Sequence, residues 1–147
     1  RASAMAGACM RLAGGTAVSR PDRAVPAAAL RYAVPVAVAT TILAASVVDP
    51  GGGVPRTVLG VETTVYFHVL GYAGLAAALG YAARSTDRRT LLAAAAVAAL
   101  YGAAIEALQG PLPYRAMSAA DAMANAVSAA LGAGAWRLLA VRGADDG

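Results

Sequence analysis

The sequence has no lysine, a single cysteine and few charged or aromatic side chains. Charged residues make up 14% of the 147 positions and aromatic residues 5%, whereas soluble domains carry about 25% charged residues. So little charge cannot cover a soluble surface, which excludes a soluble enzyme domain and a disordered tail. Cys9 cannot form an intrachain disulfide and one thiol makes no metal site by itself, so a disulfide-stabilised secreted module is also excluded.

Hydrophobic residues dominate instead. They account for 59% of the chain, alanine alone for 42 positions, and the mean hydropathy is +0.60. They fall in four apolar segments of the length that a helix needs to cross a bilayer, about 17 to 25 residues. Each segment ends at a charge or a helix breaker, and none alternates with the period of two of a β-barrel strand. The sequence therefore predicts an all-α fold, an integral membrane bundle of four transmembrane helices over residues 32–48, 63–83, 90–108 and 119–141.

The first thirty residues differ in kind from the rest, since they are rich in alanine, glycine, serine, proline and arginine and show no sustained apolar period. We predict a loosely ordered cytoplasmic tail over 1–30, a membrane domain over 31–142 and a C-terminal tail over 143–147. A secretory signal is the alternative, because basic residues precede an apolar run that ends near Ala44, Ala45 and Ser46. That run is long for a signal core, and Pro35 within it is tolerated in a membrane helix.

Arginine supplies all twelve positive charges and gives the chain a net charge of +4. The arginines separate apolar runs and do not cluster on one amphipathic face, so we predict no nucleic-acid partner. Cytoplasmic loops of membrane proteins carry an excess of basic residues. A cytoplasmic tail places ten arginines inside and leaves only Arg56 and Arg115 outside. This predicts a multi-pass protein of the cell membrane with both termini in the cytoplasm.

A set of polar residues lies within or beside three of the spans, at the level that this orientation assigns to the outer leaflet. An ionisable group inside a membrane is costly, so such groups face the bundle interior and find partners there. Gln109 follows Glu106 by three positions and shares its helix face. The candidate site consists of His68, Glu106, Gln109, Arg115, Ser118, Asp121 and Asn125.

Two interpretations of this set are open from the residues alone. Arg115 is an obvious counter-charge for Glu106 across a short loop, and Ser118 and Asp121 have the spacing of a capping box, so the set could simply join two helices. The other interpretation is a binding site, because three spans bring polar groups to one depth. His68, Glu106 and Asp121 are a weak signal for a metal, and we predict no metal and no cofactor.

The segment from about 68 to 139 carries motifs in a recognisable order and spacing. They read HVLGY, YGAAIEALQ, PYRAMSAADAMAN and ALGAG. In these motifs the sequence resembles the VanZ-like membrane family. The family pattern is a histidine soon followed by tyrosine, then Glu-x-x-Gln, an arginine loop, Ser-x-x-Asp, an asparagine four residues on and a later glycine. The resemblance covers about half of the chain and implies that the seven candidate residues are the family's polar positions.

The sequence departs from the family just before the histidine. Family members often carry an Asp-Lys pair there, where this chain has Thr64 and Val65, and Glu62 is displaced by two positions. If that pair binds an anion in the family, this chain must bind it differently. The family is named for a protein that raises resistance to teicoplanin, and we do not extend that phenotype to this chain.

The polar set and the resemblance together favour a protein that binds or modifies an envelope component at the outer leaflet. A lipid headgroup, a phosphate-bearing carrier lipid or a glycan precursor would suit it. Arg115 would hold an anionic group, since a guanidinium matches phosphate in a bidentate fashion. Glu106, His68 or Asp121 would be the general base of a reaction, although the sequence leaves open whether the chain is an enzyme. The alternatives are a scaffolding subunit and a small transporter. Against a transporter, the inner halves of the four predicted spans of this chain contain no ionisable groups that could form a polar path.

Overall fold

A computed structural model describes residues 27–48, 57–112 and 119–145, most of which lie in four helices. The helices are α1 (Ala27–Val47), α2 (Thr63–Ala83), α3 (Arg88–Gln109) and α4 (Ala119–Asp145). This confirms the predicted all-α bundle of four helices. Helix α1 includes the last residues of the predicted 1–30 tail, and α4 extends into the predicted 143–147 tail. Residues 1–26 lie outside the described residues.

The turn between α2 and α3 is short and capped by its own residues. Arg84 ends α2 with a φ of 49°, in the left-handed region, and its N–H donates to the Tyr81 carbonyl at 3.0 Å. Helix α3 begins after Asp87, whose side chain accepts a 3.0 Å hydrogen bond from the N–H of Thr90. The chain thus reverses direction, which brings the start of α2 and the end of α3 to the same end of the bundle.

A small hairpin that the sequence did not predict precedes α2. Strands β1 (Thr57–Val58) and β2 (Val61–Glu62) pair antiparallel. The two turn residues, Leu59 and Gly60, have φ values of 53° and 79°, and a type I′ hairpin turn requires positive φ at both positions. The Tyr66 hydroxyl donates a 3.1 Å hydrogen bond to a β1 carbonyl, which ties the hairpin to α2.

Helix α4 packs against both α2 and α3 and makes its most extensive contact with α2. Gly132 of α4 lies so close to the backbone of Ala73 that a Cβ at position 132 would overlap it. Close approach through small residues suits a membrane, where lipid tails supply no hydrophobic drive for helix association. The buried core is accordingly made of alanine and leucine, namely Leu75, Ala76, Leu91, Ala98, Ala129 and Ala133.

Helix α1 lies at the periphery of the bundle, and Pro35 is its one buried residue. It packs mainly against α2, and two hydrogen bonds also join it to α3. The Tyr101 hydroxyl donates to the Ala39 carbonyl at 2.7 Å, and the Gln109 side-chain amide donates to the Ser46 carbonyl at 3.0 Å. Polar side chains of α3 therefore attach a helix that contributes little to the core.

The outward faces of the helices carry large apolar side chains. Leu92 and Leu100 of α3, for example, are each 70% exposed. Soluble monomers rarely expose extended apolar surface, whereas lipid tails cover it in a membrane. All four helices are long and apolar enough to cross a membrane. The chain is therefore a multi-pass membrane protein.

Candidate functional site

The order of the helices brings the chemistry-bearing residues to one end of the bundle. His68 lies in the second turn of α2, Glu106 in the last turn of α3, and Asp121 and Asn125 in the first two turns of α4. Tyr72 lies one turn beyond His68 on α2. We call these five residues the polar end.

Side chains from three helices meet at the polar end. The Nδ1 atom of His68 makes a 2.6 Å hydrogen bond with the Oδ1 atom of Asn125. The same Nδ1 lies 4.0 Å from the Oε1 atom of Glu106, the outer limit for an ion pair when the imidazole is protonated. The nearest donor atoms of His68, Glu106 and Asp121 all lie within 4.8 Å of one another. The structure thus brings together four of the seven residues that the sequence singled out.

The bundle buries most of this cluster and leaves His68 and Asp121 partly exposed. Glu106 is 3% exposed, Asn125 is fully buried, and the His68 side chain is 12% exposed. Asn125 fits because position 102 is a glycine, where a Cβ would lie 2.8 Å from the Asn125 Nδ2 atom. Burying polar and ionisable groups is costly unless they have partners. Their burial from three helices therefore indicates a built arrangement.

Tyr72, the tyrosine of the HVLGY motif, belongs to the polar end although it was not among the seven candidate residues. Its ring stacks with that of His68, with centroids 6.0 Å apart and an angle of 19° between the planes. Its position four residues after His68 is the signal that could have identified it, because such residues share a helix face. The Tyr72 hydroxyl and the Asn125 Nδ2 atom are buried and make no hydrogen bond. Buried polar atoms nearly always have a partner, so these two atoms mark where a bound group would supply one.

The remaining candidate residues stand apart from this cluster. Gln109 is buried in the same turn of α3 as Glu106, but its side-chain amide donates to the Ser46 carbonyl and so joins α3 to α1. Arg115 and Ser118 lie outside the described residues. The expected pairing of Glu106 with Arg115 therefore stays a prediction.

Trp136 of α4 closes the opposite end of the bundle. Its indole lies over Gly80 of α2, where a Cβ would come within 2.5 Å of the ring atom Cδ1. The indole N–H donates a 3.0 Å hydrogen bond to the Ser85 carbonyl, and Tyr81 meets the ring edge to face with centroids 5.7 Å apart. We call Gly80, Tyr81, Ser85 and Trp136 the Trp136 end.

A groove of about 330 Å³ opens between α3 and α4 on the side of the Trp136 end. Leucine, alanine and glycine form most of its wall, and Arg88 and Arg137 also line it. None of its lining residues belongs to the polar end. A ligand of the polar end would therefore bind at a separate place, among the buried side chains of the cluster.

No family model, curated protein or solved structure matches this chain. What the polar end can do follows from its own groups, which are one imidazole, two carboxylates, one carboxamide and one phenol. Such groups can take up a proton, coordinate a cation or donate hydrogen bonds to an anion.

Proposed function

We propose that this chain is a VanZ-like membrane protein whose polar end binds the phosphate-bearing headgroup of an envelope lipid or of a lipid-linked glycan precursor at the outer leaflet. The observation that carries the proposal is the convergence of His68, Glu106 and Asp121 from three helices. The motifs that contain these residues support it through their resemblance to the VanZ-like family. Joining two helices would not require a third to contribute.

The ligand class follows from the groups of the polar end and from the sequence beside it. Arg115, between α3 and α4 in the sequence, would supply a guanidinium that matches a phosphate in a bidentate fashion. The Tyr72 hydroxyl and the Asn125 amide have hydrogens without an acceptor, and a phosphate oxygen would accept both. A lipid presents its headgroup at the level where the helices end, and its tails can lie along their exposed apolar faces.

A reaction at this site would use the same groups. His68, Glu106 and Asp121 each offer a lone pair that can take a proton from a hydroxyl group or a water molecule, which is the role of a general base. The 4.0 Å separation of His68 and Glu106 suits a carboxylate that stabilises the resulting imidazolium. We propose binding as the primary function, and the products formed from a bound lipid would reveal turnover.

Two other functions fit the bundle less well. A transporter needs polar groups along its whole path, but the buried polar and charged side chains of the described helices lie in the half that contains the polar end. A scaffolding subunit needs its polar residues only to join helices. The buried atoms without hydrogen bonds at Tyr72 and Asn125 do not favour that role, because they cost stability and join nothing.

We further propose that the polar end faces outward and both termini are cytoplasmic, on the ten-to-two arginine distribution. Single cysteines in a Cys9→Ser background test this. Leu59 is 94% exposed in the hairpin beside the polar end, so Leu59→Cys should react with an impermeant thiol reagent in intact cells. Thr86→Cys, in the exposed turn after α2, should react only after permeabilisation. Labelling of Thr86→Cys in intact cells would reverse the orientation.

The experiment that tests the binding function measures polyprenyl phosphate binding to the full chain in nanodiscs of phosphatidylcholine, a zwitterionic lipid with no net charge. We expect saturable binding that the matching polyprenol, which lacks the phosphate, does not show. If Glu106 pairs with Arg115 as we predict, Glu106→Gln and Arg115→Gln should each impair the protein, since removal of one partner from a buried charge pair costs about 3–5 kcal/mol in soluble proteins.

The double variant, Glu106→Gln with Arg115→Gln, separates ligand binding from scaffolding. If the two residues only pair with each other, the double variant recovers folding and lipid binding together, which would support the scaffold. If Arg115 also holds the phosphate, the double variant recovers folding but does not bind polyprenyl phosphate. We expect the second result.

A further inference from the structure

Three side chains that commonly bind metal ions converge at the polar end. The nearest ligand atoms of His68, Glu106 and Asp121 all lie within 4.8 Å of one another, and His68 Nδ1 is 4.0 Å from Glu106 Oε1. Imidazole nitrogen and carboxylate oxygen bind Zn²⁺ at about 2.0–2.2 Å, so two ligands of one ion are at most about 4.4 Å apart. Shifts of less than about 1 Å in each side chain would therefore place all three around one ion.

Asn125 adds an independent observation. Its side chain is fully buried and directed at His68, with Oδ1 2.6 Å from the imidazole Nδ1. The other amide atom, Nδ2, makes no hydrogen bond, so the protein itself does not use the full bonding capacity of this side chain. An amide oxygen is a good ligand for oxygen-preferring cations. Oδ1 of Asn125 thus stands beside the imidazole as a fourth donor.

We propose that the polar end binds one divalent transition-metal ion, Mn²⁺ or Zn²⁺. Its ligands are the carboxylates of Glu106 and Asp121, His68 Nδ1 and Asn125 Oδ1. On metal binding, Nδ1 releases to solvent the proton that it donates to Oδ1, and the ion replaces that hydrogen bond. One nitrogen and three oxygens favour a first-row divalent ion over Ca²⁺, which takes oxygen ligands alone. The two carboxylates balance the charge of the ion, so the assembled site is neutral inside the bundle.

The metal site rests on the geometry of the cluster, whereas its role in lipid binding rests on the proposed function. Two carboxylates repel an anionic headgroup. Four protein ligands leave two positions open on an octahedral Mn²⁺, and Zn²⁺ can expand to five ligands, so either ion can attract a phosphate oxygen, as metal sites do in enzymes that act on phosphates. The ion would therefore let a site with two acidic side chains receive a phosphate.

The test uses the full chain in phosphatidylcholine nanodiscs, purified without a histidine tag and stripped of metal with EDTA. His68 is the single histidine of the sequence, so labelling histidine with ¹⁵N reports on this one imidazole by NMR. We expect Zn²⁺ to shift the imidazole signals with a stoichiometry of one ion per chain and Mn²⁺ to broaden them. Ca²⁺ at the same concentration should leave them unchanged.

Isosteric substitutions, in which the side chain keeps its size and shape but loses its charge, identify the other ligands. Glu106→Gln and Asp121→Asn each remove one charged ligand, and each should weaken Zn²⁺ binding by at least about tenfold. Glu62→Gln is the matched control, because Glu62 is an exposed acid at the start of α2 and lies outside the cluster. It should bind Zn²⁺ as the wild type does. Thermal melts check that each variant folds, and the wild-type histidine signals decide the question if one does not.

Unchanged histidine signals with Zn²⁺, or equal affinity in the wild type and both ligand variants, would overturn the metal site. Polyprenyl phosphate binding, measured with EDTA and with Zn²⁺, is the separate test of the proposed function. Lipid binding in EDTA, with no metal binding in any condition, would contradict the metal site and support the headgroup site. Metal binding without lipid binding would support the metal site and contradict the headgroup site.

Discussion

The two ends of the bundle bury their polar groups in opposite ways. At the Trp136 end, the indole N–H donates to the Ser85 carbonyl and the ring fills the space over Gly80. At the polar end, the Tyr72 hydroxyl and the Asn125 Nδ2 atom are buried without a hydrogen bond. The Trp136 end is complete with its own side chains, and the polar end becomes complete, in our proposal, when it binds a ligand.

This difference separates stability from function within one bundle. A buried polar atom without a partner costs about 1–3 kcal/mol, and proteins retain such costs where activity needs them. Substitutions at the Trp136 end should therefore lower stability and leave ligand binding intact. Removal of an unpartnered atom of the polar end, as in Tyr72→Phe, should weaken binding with little loss of stability.

The largest effect is expected where α4 crosses α2, between the two ends. A Cβ at Gly132 would overlap the backbone of Ala73, which can move only if the helices separate. Gly132→Ala should therefore lower the free energy of unfolding by at least about 3 kcal/mol, the upper end for an overpacked core, and disrupt both ends together. Melts in detergent followed by circular dichroism measure it. Gly134→Ala is the matched control because open space surrounds position 134, and an equal loss there would contradict the explanation.

A smaller effect is expected at the Trp136 end alone. Trp136→Ala removes the ring from Gly80 and the hydrogen bond to Ser85. Loss of a buried aromatic ring costs about 3–5 kcal/mol, and because Trp136 is half-buried we expect about 2 kcal/mol. Polyprenyl phosphate binding by the folded variant should equal that of the wild type. If binding fell while the melt stayed unchanged, the two ends would not be independent.

The smallest effect compares two tyrosine hydroxyls. The Tyr101 hydroxyl donates to the Ala39 carbonyl, whereas the Tyr72 hydroxyl makes no hydrogen bond. Tyr101→Phe should cost about 1 kcal/mol, the net contribution of one hydrogen bond. Tyr72→Phe should leave the free energy of unfolding unchanged or raise it, since it removes a buried polar atom without a partner. A greater loss of stability for Tyr72→Phe in the same melts would show that the protein itself satisfies this hydroxyl.

The helices could be predicted from the sequence because length and composition mark them directly. An apolar run of about 20 residues has few stable alternatives to a membrane-spanning helix. The hairpin could not be predicted, because Leu59-Gly60 is not one of the common hairpin pairs and each strand has only two residues. The attachment of α1 also could not, since no sequence period shows which neighbour a helix side chain will meet.

The candidate site could be predicted where a residue type is costly in a membrane. His68, Glu106 and Asp121 stand out on that ground, and the structure brings them together. The sequence placed Gln109 beside Glu106 correctly but could not show that its amide would donate to α1. Tyr72 stands in the HVLGY motif but was not among the candidate residues, because an uncharged tyrosine in a span does not carry the cost that marks His68, Glu106 and Asp121.

The central claim is that the polar end serves a ligand and not the fold, and thermal unfolding of Tyr72→Phe with and without polyprenyl phosphate tests it most directly. Phenylalanine keeps the ring and removes only a buried hydroxyl that makes no hydrogen bond, so the variant should unfold without lipid much as the wild type does. At a lipid concentration of one hundred times Kd, the wild type should gain about 2.7 kcal/mol, and the variant, which lacks one hydrogen bond to the phosphate, at least about 1 kcal/mol less. Two results together would contradict this claim: a variant much less stable than the wild type without lipid, and a wild type whose free energy of unfolding does not rise with lipid. They would show that the polar end only holds the helices together.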